Sequence, residues 1–132
     1  MAGKDPNHWL FRFDREEWLK AAQHELAECL RALNAGARKQ SVAYARRAAG
    51  MALNAVLVDF PDDSWGRSYM DHLQAIARNE QTPEEVRVAA AALLTAPLDA
   101  PRLIPIGGKS DDGLAKAAER ILSWCERPRP TA

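Results

Sequence analysis

Residues 47–57 read Arg47-Ala48-Ala49-Gly50-Met51-Ala52-Leu53-Asn54-Ala55-Val56-Leu57. After a Pro-Asp-Asp turn, residues 65–73 read Trp65-Gly66-Arg67-Ser68-Tyr69-Met70-Asp71-His72-Leu73. The first stretch belongs to a helix running from about Arg38 to Val58. Its buried stripe is Val42, Ala45, Ala48, Ala49, Ala52, Ala55 and Val56, at helical spacing. Such small residues let a neighbouring backbone come close. A glycine inside a helix costs about 1 kcal/mol, so Gly50 marks a position kept free for packing or for a ligand. The second stretch places Arg67 and His72 five residues apart at the start of the next helix.

Working outward, four more helices are expected and no strand. Asp14 with Glu17 three residues on forms a capping box. It opens a helix to about Asn34 that buries Trp18, Ala22, Leu26, Cys29, Leu30 and Leu33, and Asn34-Ala35-Gly36 ends it. Phe60-Pro61-Asp62-Asp63-Ser64 is a turn, with Ser64 or Asp63 capping a third helix over about 65–78 that buries Tyr69, Leu73 and Ile76. Thr82, Pro83 and Glu85 read as cap, first and third positions of a fourth helix, whose inner face is Val86, Ala89, Ala90, Leu93 and Leu94. Three prolines and a glycine pair forbid a helix over 95–110. In this long connection Leu103, Ile104 and Ile106 are expected to lie back on the bundle. A fifth helix starts near Ser110 or Asp111 and buries Leu114, Ala117, Ala118, Ile121 and either Trp124 or Cys125. Short loops between long amphipathic helices give antiparallel neighbours. The expected fold is therefore all-α, an up-and-down bundle of four to five helices. Residues 1–13 form an irregular arm with exposed Trp9, Phe11 and Phe13, residues 14–126 the bundle, and residues 127–132 a disordered tail.

The chain has 132 residues, enough for one domain with a real core. Eighteen basic and eighteen acidic residues cancel. Zero net charge removes the composition-level argument for duplex DNA or anionic membranes, though not for a local basic patch. Thirteen of the basic residues are Arg, the better residue for bidentate contacts to carboxylate or phosphate. Cys29 and Cys125 lie far apart with no CxxC spacing and read as buried reduced thiols. Residues 1–8 carry no apolar signal core, and no apolar run reaches membrane-spanning length, so the expected location is the cytoplasm of a prokaryote-like cell. Three scattered histidines and two distant cysteines offer no metal-ligand spacing, and no cofactor is expected. Gly107-Gly108-Lys109-Ser110 ends like a phosphate loop, but Leu103 stands where its first Gly belongs and no strand precedes it.

Three motifs together resemble the HEPN superfamily, small helical bundles often found beside nucleotidyltransferases in prokaryotes. The first helix begins Trp18-Leu19-Lys20-Ala21-Ala22, the second ends in the Arg47–Leu57 stretch, and a His72-Leu73 unit opens the third. The resemblance covers roughly residues 18–125. Arg47 stands where the family usually has Gln or His, Gly50 where it has Glu, and Met51 and Asn54 where it has Lys, so the charged positions of the second helix are mostly lost. Catalytic members carry Arg, four to six residues, then His, and cut RNA without metal at a site shared by two protomers. Arg67 and His72 meet that spacing. The residue after the Arg is Ser68, where those members commonly have Asn or Asp. The resemblance further implies a homodimer, with RNA, a nucleotide or a protein such as a nucleotidyltransferase as partner.

The chemistry of the pair is sensible. A histidine near neutral pKa can take a 2′-hydroxyl proton or protonate a leaving oxygen, and an arginine can hold the phosphate. The plainer reading makes His72 a hydrogen-bonded histidine at the bundle edge, and Arg67 a solvated arginine near Asp62, Asp63 or Asp71. Arg47, Asn54, Trp65 and Tyr69 are the ligand-binding candidates. Aromatics beside arginine can stack a base, while helical spacing puts Tyr69 in the core. Arg46 and Arg47, with Arg38 and Lys39, could form a basic strip, though a solvated face is more common. The preferred reading is a non-catalytic module that dimerises and binds a nucleotide, nucleic acid or protein partner. The alternatives are a metal-independent, toxin-like RNase using Arg67 and His72, and a structural bundle of a larger complex. A buried, backbone-bonded His72 argues against the nuclease; an open groove holding both residues argues for it.

Overall fold

The computed structural model describes residues 9–96 and 113–127. Five α-helices follow one another: α1 (Arg15–Asn34), α2 (Arg38–Asp59), α3 (Tyr69–Arg78), α4 (Glu84–Thr95) and α5 (Gly113–Glu126). Short 3-10 turns at Trp9–Arg12 and Asp63–Trp65 precede α1 and α3. No strand forms among the described residues. The fold is the expected all-α, up-and-down bundle. The connection over 97–112, with Leu103, Ile104 and Ile106, and the tail from 128 lie outside the described residues.

Helix α2 is the centre of the molecule. It packs most extensively on α1, then on α5 and α3, and touches α4. Every residue from Ala52 to Val58 is buried, so its last two turns are enclosed on all sides rather than along one stripe. The alanines make this possible. Ala45, Ala48, Ala49, Ala52 and Ala55 are fully buried and present only a methyl to their neighbours.

The helix ends follow local chemistry, with two corrections. Asp14 caps α1 as expected: its carboxylate accepts from the Glu17 N–H at 2.8 Å, and Glu17 returns the bond to the Asp14 N–H at 3.1 Å. The third helix does not start at 65. Gly66 sits at φ 70°, which breaks the helix, so the 3-10 turn stops at Trp65 and Ser68 caps α3 with Asp71 in a second capping box. Thr82 does not cap α4. The Pro83 carbonyl accepts from Val86 and Arg87, so the cap position falls on a residue with no side-chain acceptor, and Thr82 is buried.

Two arginines close the other ends. Arg46 reaches from α2 to the last turn of α4, where its guanidinium donates to the carbonyls of Leu93 (2.8 Å), Leu94 (3.4 Å) and Ala96 (3.4 Å). Arg15 does the same for α5 at Cys125 (3.3 Å) and Glu126 (3.1 Å). Terminal carbonyls lack intrahelical donors and carry partial negative charge, so a cation there is stabilising. Arg46 is therefore a cap between helices rather than part of a solvated basic strip.

The first described residues are more ordered than an irregular arm. Leu10 is buried in the core and its carbonyl accepts from the Trp18 indole N–H at 2.8 Å. Phe13 is half-buried and meets Trp18 edge to face at 4.9 Å between ring centroids. On α1, Leu19 and Ala32 are buried, whereas Leu30 is 46% exposed because it falls at the edge of the buried arc. On α5 the buried member of the terminal pair is Cys125, and Cys29 and Cys125 both lie in the core without a disulfide between them.

Gly50 carries a defined constraint. A Cβ there would stand 2.2 Å from Tyr69 Cδ1 and 2.4 Å from Tyr69 Cβ. The second contact is close to backbone, so the start of α3 would have to move. Gly50→Ala is expected to lower stability by about 1–3 kcal/mol through overpacking, despite the roughly 1 kcal/mol of helix propensity it gains. A urea titration that compares unfolding midpoints at constant slope measures this.

Candidate functional site

Four of the predicted residues meet where α2, α3 and the Asp63–Trp65 turn join. Helix α2 contributes Asn54, the turn contributes Trp65, and α3 contributes His72 and Tyr69. His72 is fully buried. Its Nδ1 lies 2.7 Å from the Trp65 carbonyl oxygen and its Nε2 lies 2.8 Å from Asn54 Oδ1. The Trp65 and Tyr69 rings flank it with centroids at 6.5 and 6.4 Å. One side chain thus ties α3 to α2 and to the turn before it.

The proton count decides what this histidine is. Two oxygens face the ring, and a neutral imidazole has a single N–H to donate. A cationic ring would serve both, but burial opposes the charge. Desolvation pulls the His72 pKa down, against smaller opposing effects of the Trp65 carbonyl and Asp71. The neutral ring is satisfied when Nδ1–H donates to Trp65 and the Asn54 carboxamide is turned so that its Nδ2 donates to Nε2. Asn54 Nδ2 is the atom that otherwise lies buried without an acceptor, which supports this arrangement.

The expected catalytic pair is not assembled. His72 Nε2 and Nδ1 are both engaged inside the bundle, and no face of the ring reaches solvent. Arg67 is exposed, and its backbone N–H reaches the Asp71 carboxylate at 3.4 Å. Asp71 is itself held ionised by the Ser68 N–H and hydroxyl and by the Arg67 N–H, which lower its pKa. General base catalysis needs the base within hydrogen-bond reach of a substrate proton. A ring at 0% exposure does not offer that.

Arg47 belongs to a neighbouring cluster that the sequence reading did not assemble. Its guanidinium lies over the Tyr44 ring at 4.7 Å and stands 3.6 Å from Glu25 Oε2 on α1. The Tyr69 phenol is raised in pKa first by burial and then by Glu25, while Arg47 and Arg12 act in the opposite direction. Glu25 is therefore the residue missed: its pairing with Arg47 depends on the register of α1 on α2, which no local spacing encodes, whereas Tyr44 lies one turn before Arg47 on the same helix. His24 is exposed, as its neighbours Glu25 and Glu28 suggest. Among the described residues no group of three His, Cys, Asp or Glu could hold a metal. No helix of the described residues is long and apolar enough to cross a membrane. A separate open groove of about 450 Å³ between α4 and α5, lined in part by Val86, Arg120 and Trp124, contains none of the predicted site residues.

The sequence matches no family model. No curated protein matches it. Among solved structures, the crystal structure of a HEPN domain protein from Thermotoga maritima matches with a TM-score of 0.64 and 27% identity, over 83% of this chain and 94% of that one.

Two measurements test the buried histidine. His72→Ala removes two hydrogen bonds and leaves a cavity beside unpaired polar groups, and should cost about 2–4 kcal/mol in urea unfolding. The wild type should also lose stability as the pH falls below about 6.5, the ordinary His value. With the folded pKa below the unfolded one, the unfolded state binds the extra proton first. The resulting slope is at most about 1.4 kcal/mol per pH unit. A His72→Gln variant should show a flatter stability profile between pH 7 and 5.

Proposed function

From the HEPN-like fold that this chain adopts, we propose that it is a non-catalytic binding module, which dimerises and takes a nucleotide, nucleic acid or protein partner. The observation that carries the reading is the complete burial of His72 between Asn54 and the Trp65 carbonyl. The residue that a metal-independent RNase would need as its proton carrier serves here to lock α3 onto α2. The loss of charge along α2 supports the same conclusion. Gly50 is closed over by Tyr69, and Asn54 is turned inward to the histidine. The polar groups that remain open to solvent, Arg47 among them, suit recognition rather than bond cleavage.

The structural-bundle alternative expected an exposed aromatic patch from Trp9, Phe11 and Phe13. Of these, Phe13 packs edge to face on Trp18, and the side chains of Trp9 and Phe11 lie outside the described residues.

The test is incubation of a labelled single-stranded RNA with the full chain in excess EDTA, beside Arg67→Ala. Arg67 is exposed, so this variant is expected to fold, and circular dichroism checks that it does. No cleavage at high protein concentration is the expected result. Cleavage by the wild type that vanishes in Arg67→Ala would overturn the proposal and restore the nuclease. Sedimentation velocity measures the dimer directly.

A further inference from the structure

Two surface features at one end of the bundle complement each other. The first is the turn from α2 towards α3, Asp59-Phe60-Pro61-Asp62-Asp63. All five residues are exposed. Phe60, Leu30 and Val88 are the exposed large apolar side chains among the described residues, and Phe60 is the aromatic one. Three aspartates surround it, and no basic residue follows before Arg67. The second feature is the open groove of about 450 Å³ between α4 and α5. Its apolar part is Val86 and the half-buried Trp124. Lys116 and Arg120 on α5, with Arg127 just after it, are spaced by four and seven residues and form one basic stripe beside Trp124. Glu85 and Glu119 also line the groove, so three cations there stand against two anions.

Arg15 ties the two features together. Its guanidinium donates to the Cys125 and Glu126 carbonyls at 3.3 and 3.1 Å, and stands 3.9 Å from the Asp59 carboxylate. The acidic turn therefore begins beside the end of α5 that carries Trp124 and Arg127. We propose that two copies of this chain pair about a two-fold axis, the acidic turn of each seated in the α4–α5 groove of the other. Phe60 packs into the apolar part of the partner's groove, and Asp62 and Asp63 face its basic stripe. Because turn and groove lie at the same end of the bundle, one axis lets both contacts form together, and the assembly closes at two copies. Aromatic and arginine anchors inside a charged rim are the composition of a protein interface. Opposite charge fixes the register, while turn against turn is repelled. The pairing rests on the binding-module reading, which includes a dimer, and names the surface that makes it.

The experiment is sedimentation velocity of the full chain, first at low salt. A dimer is expected, weakened about tenfold or more when salt is raised to about 0.5 M, because exposed charges are screened. Phe60→Ser should weaken it at least tenfold through lost apolar burial. Asp63→Lys and Arg120→Glu should each sediment as monomers. Their equimolar mixture should restore the dimer: the reversed turn of one meets the reversed groove of the other, and the unchanged turn and groove also meet. Leu30→Ser, exposed on α1, should leave the dimer as it is. Circular dichroism confirms that each variant folds. A wild type that stays monomeric at high concentration overturns this pairing and removes the dimer from the binding-module reading. A wild-type dimer that both charge reversals leave intact, a mixture that fails to restore it, or equal weakening by Leu30→Ser overturns this surface alone and leaves that reading standing.

Discussion

The closeness of Tyr69 to Gly50 constrains everything around it. No side chain stands between the α2 backbone and the Tyr69 ring, and a single methyl at that point would overlap it. Because Tyr69 is the first residue of α3, this contact sets how near the third helix starts to the second. That spacing in turn brings His72, three residues on, within hydrogen-bond distance of Asn54, four residues beyond Gly50. Interiors are packed too densely to absorb a displacement of this size without a response elsewhere.

Polar groups inside the bundle act as fasteners. His72 joins α3, α2 and the preceding turn through its two ring nitrogens. Arg46 and Arg15 reach across to the terminal carbonyls of α4 and α5, so each helix is closed by a residue from another element. Because these bonds are made between elements, they reward the correct assembly of the bundle and not just the formation of each helix.

The same economy explains the functional reading. The Arg-x4-His spacing across the start of α3 would suit phosphodiester chemistry if both side chains pointed to solvent. Four intervening residues put them on different sides of the helix start: one exposed, the other at the core. Burial turns a group with ordinary proton affinity into a neutral structural one, because desolvation penalises the cation.

The sequence alone determined that the chain is helical, where four of its five helices run, and which face of α2 is buried. Those properties follow from apolar spacing, from the Asp14–Glu17 capping box and from proline and glycine positions, all of which act over a few residues. It also singled out Asn54, Trp65, Tyr69 and His72, four residues that prove to be neighbours. The start of α3 was misplaced because Gly66 adopts a left-handed conformation that spacing does not reveal. Only tertiary structure decided that His72 faces inward, that Arg46 caps α4, and that Glu25 on α1 pairs with Arg47 on α2. The physical reason is common to all three. Whether a polar side chain is desolvated, and by whose oxygen it is then met, depends on the register and approach of helices far apart in the chain, and a local pattern carries no record of either.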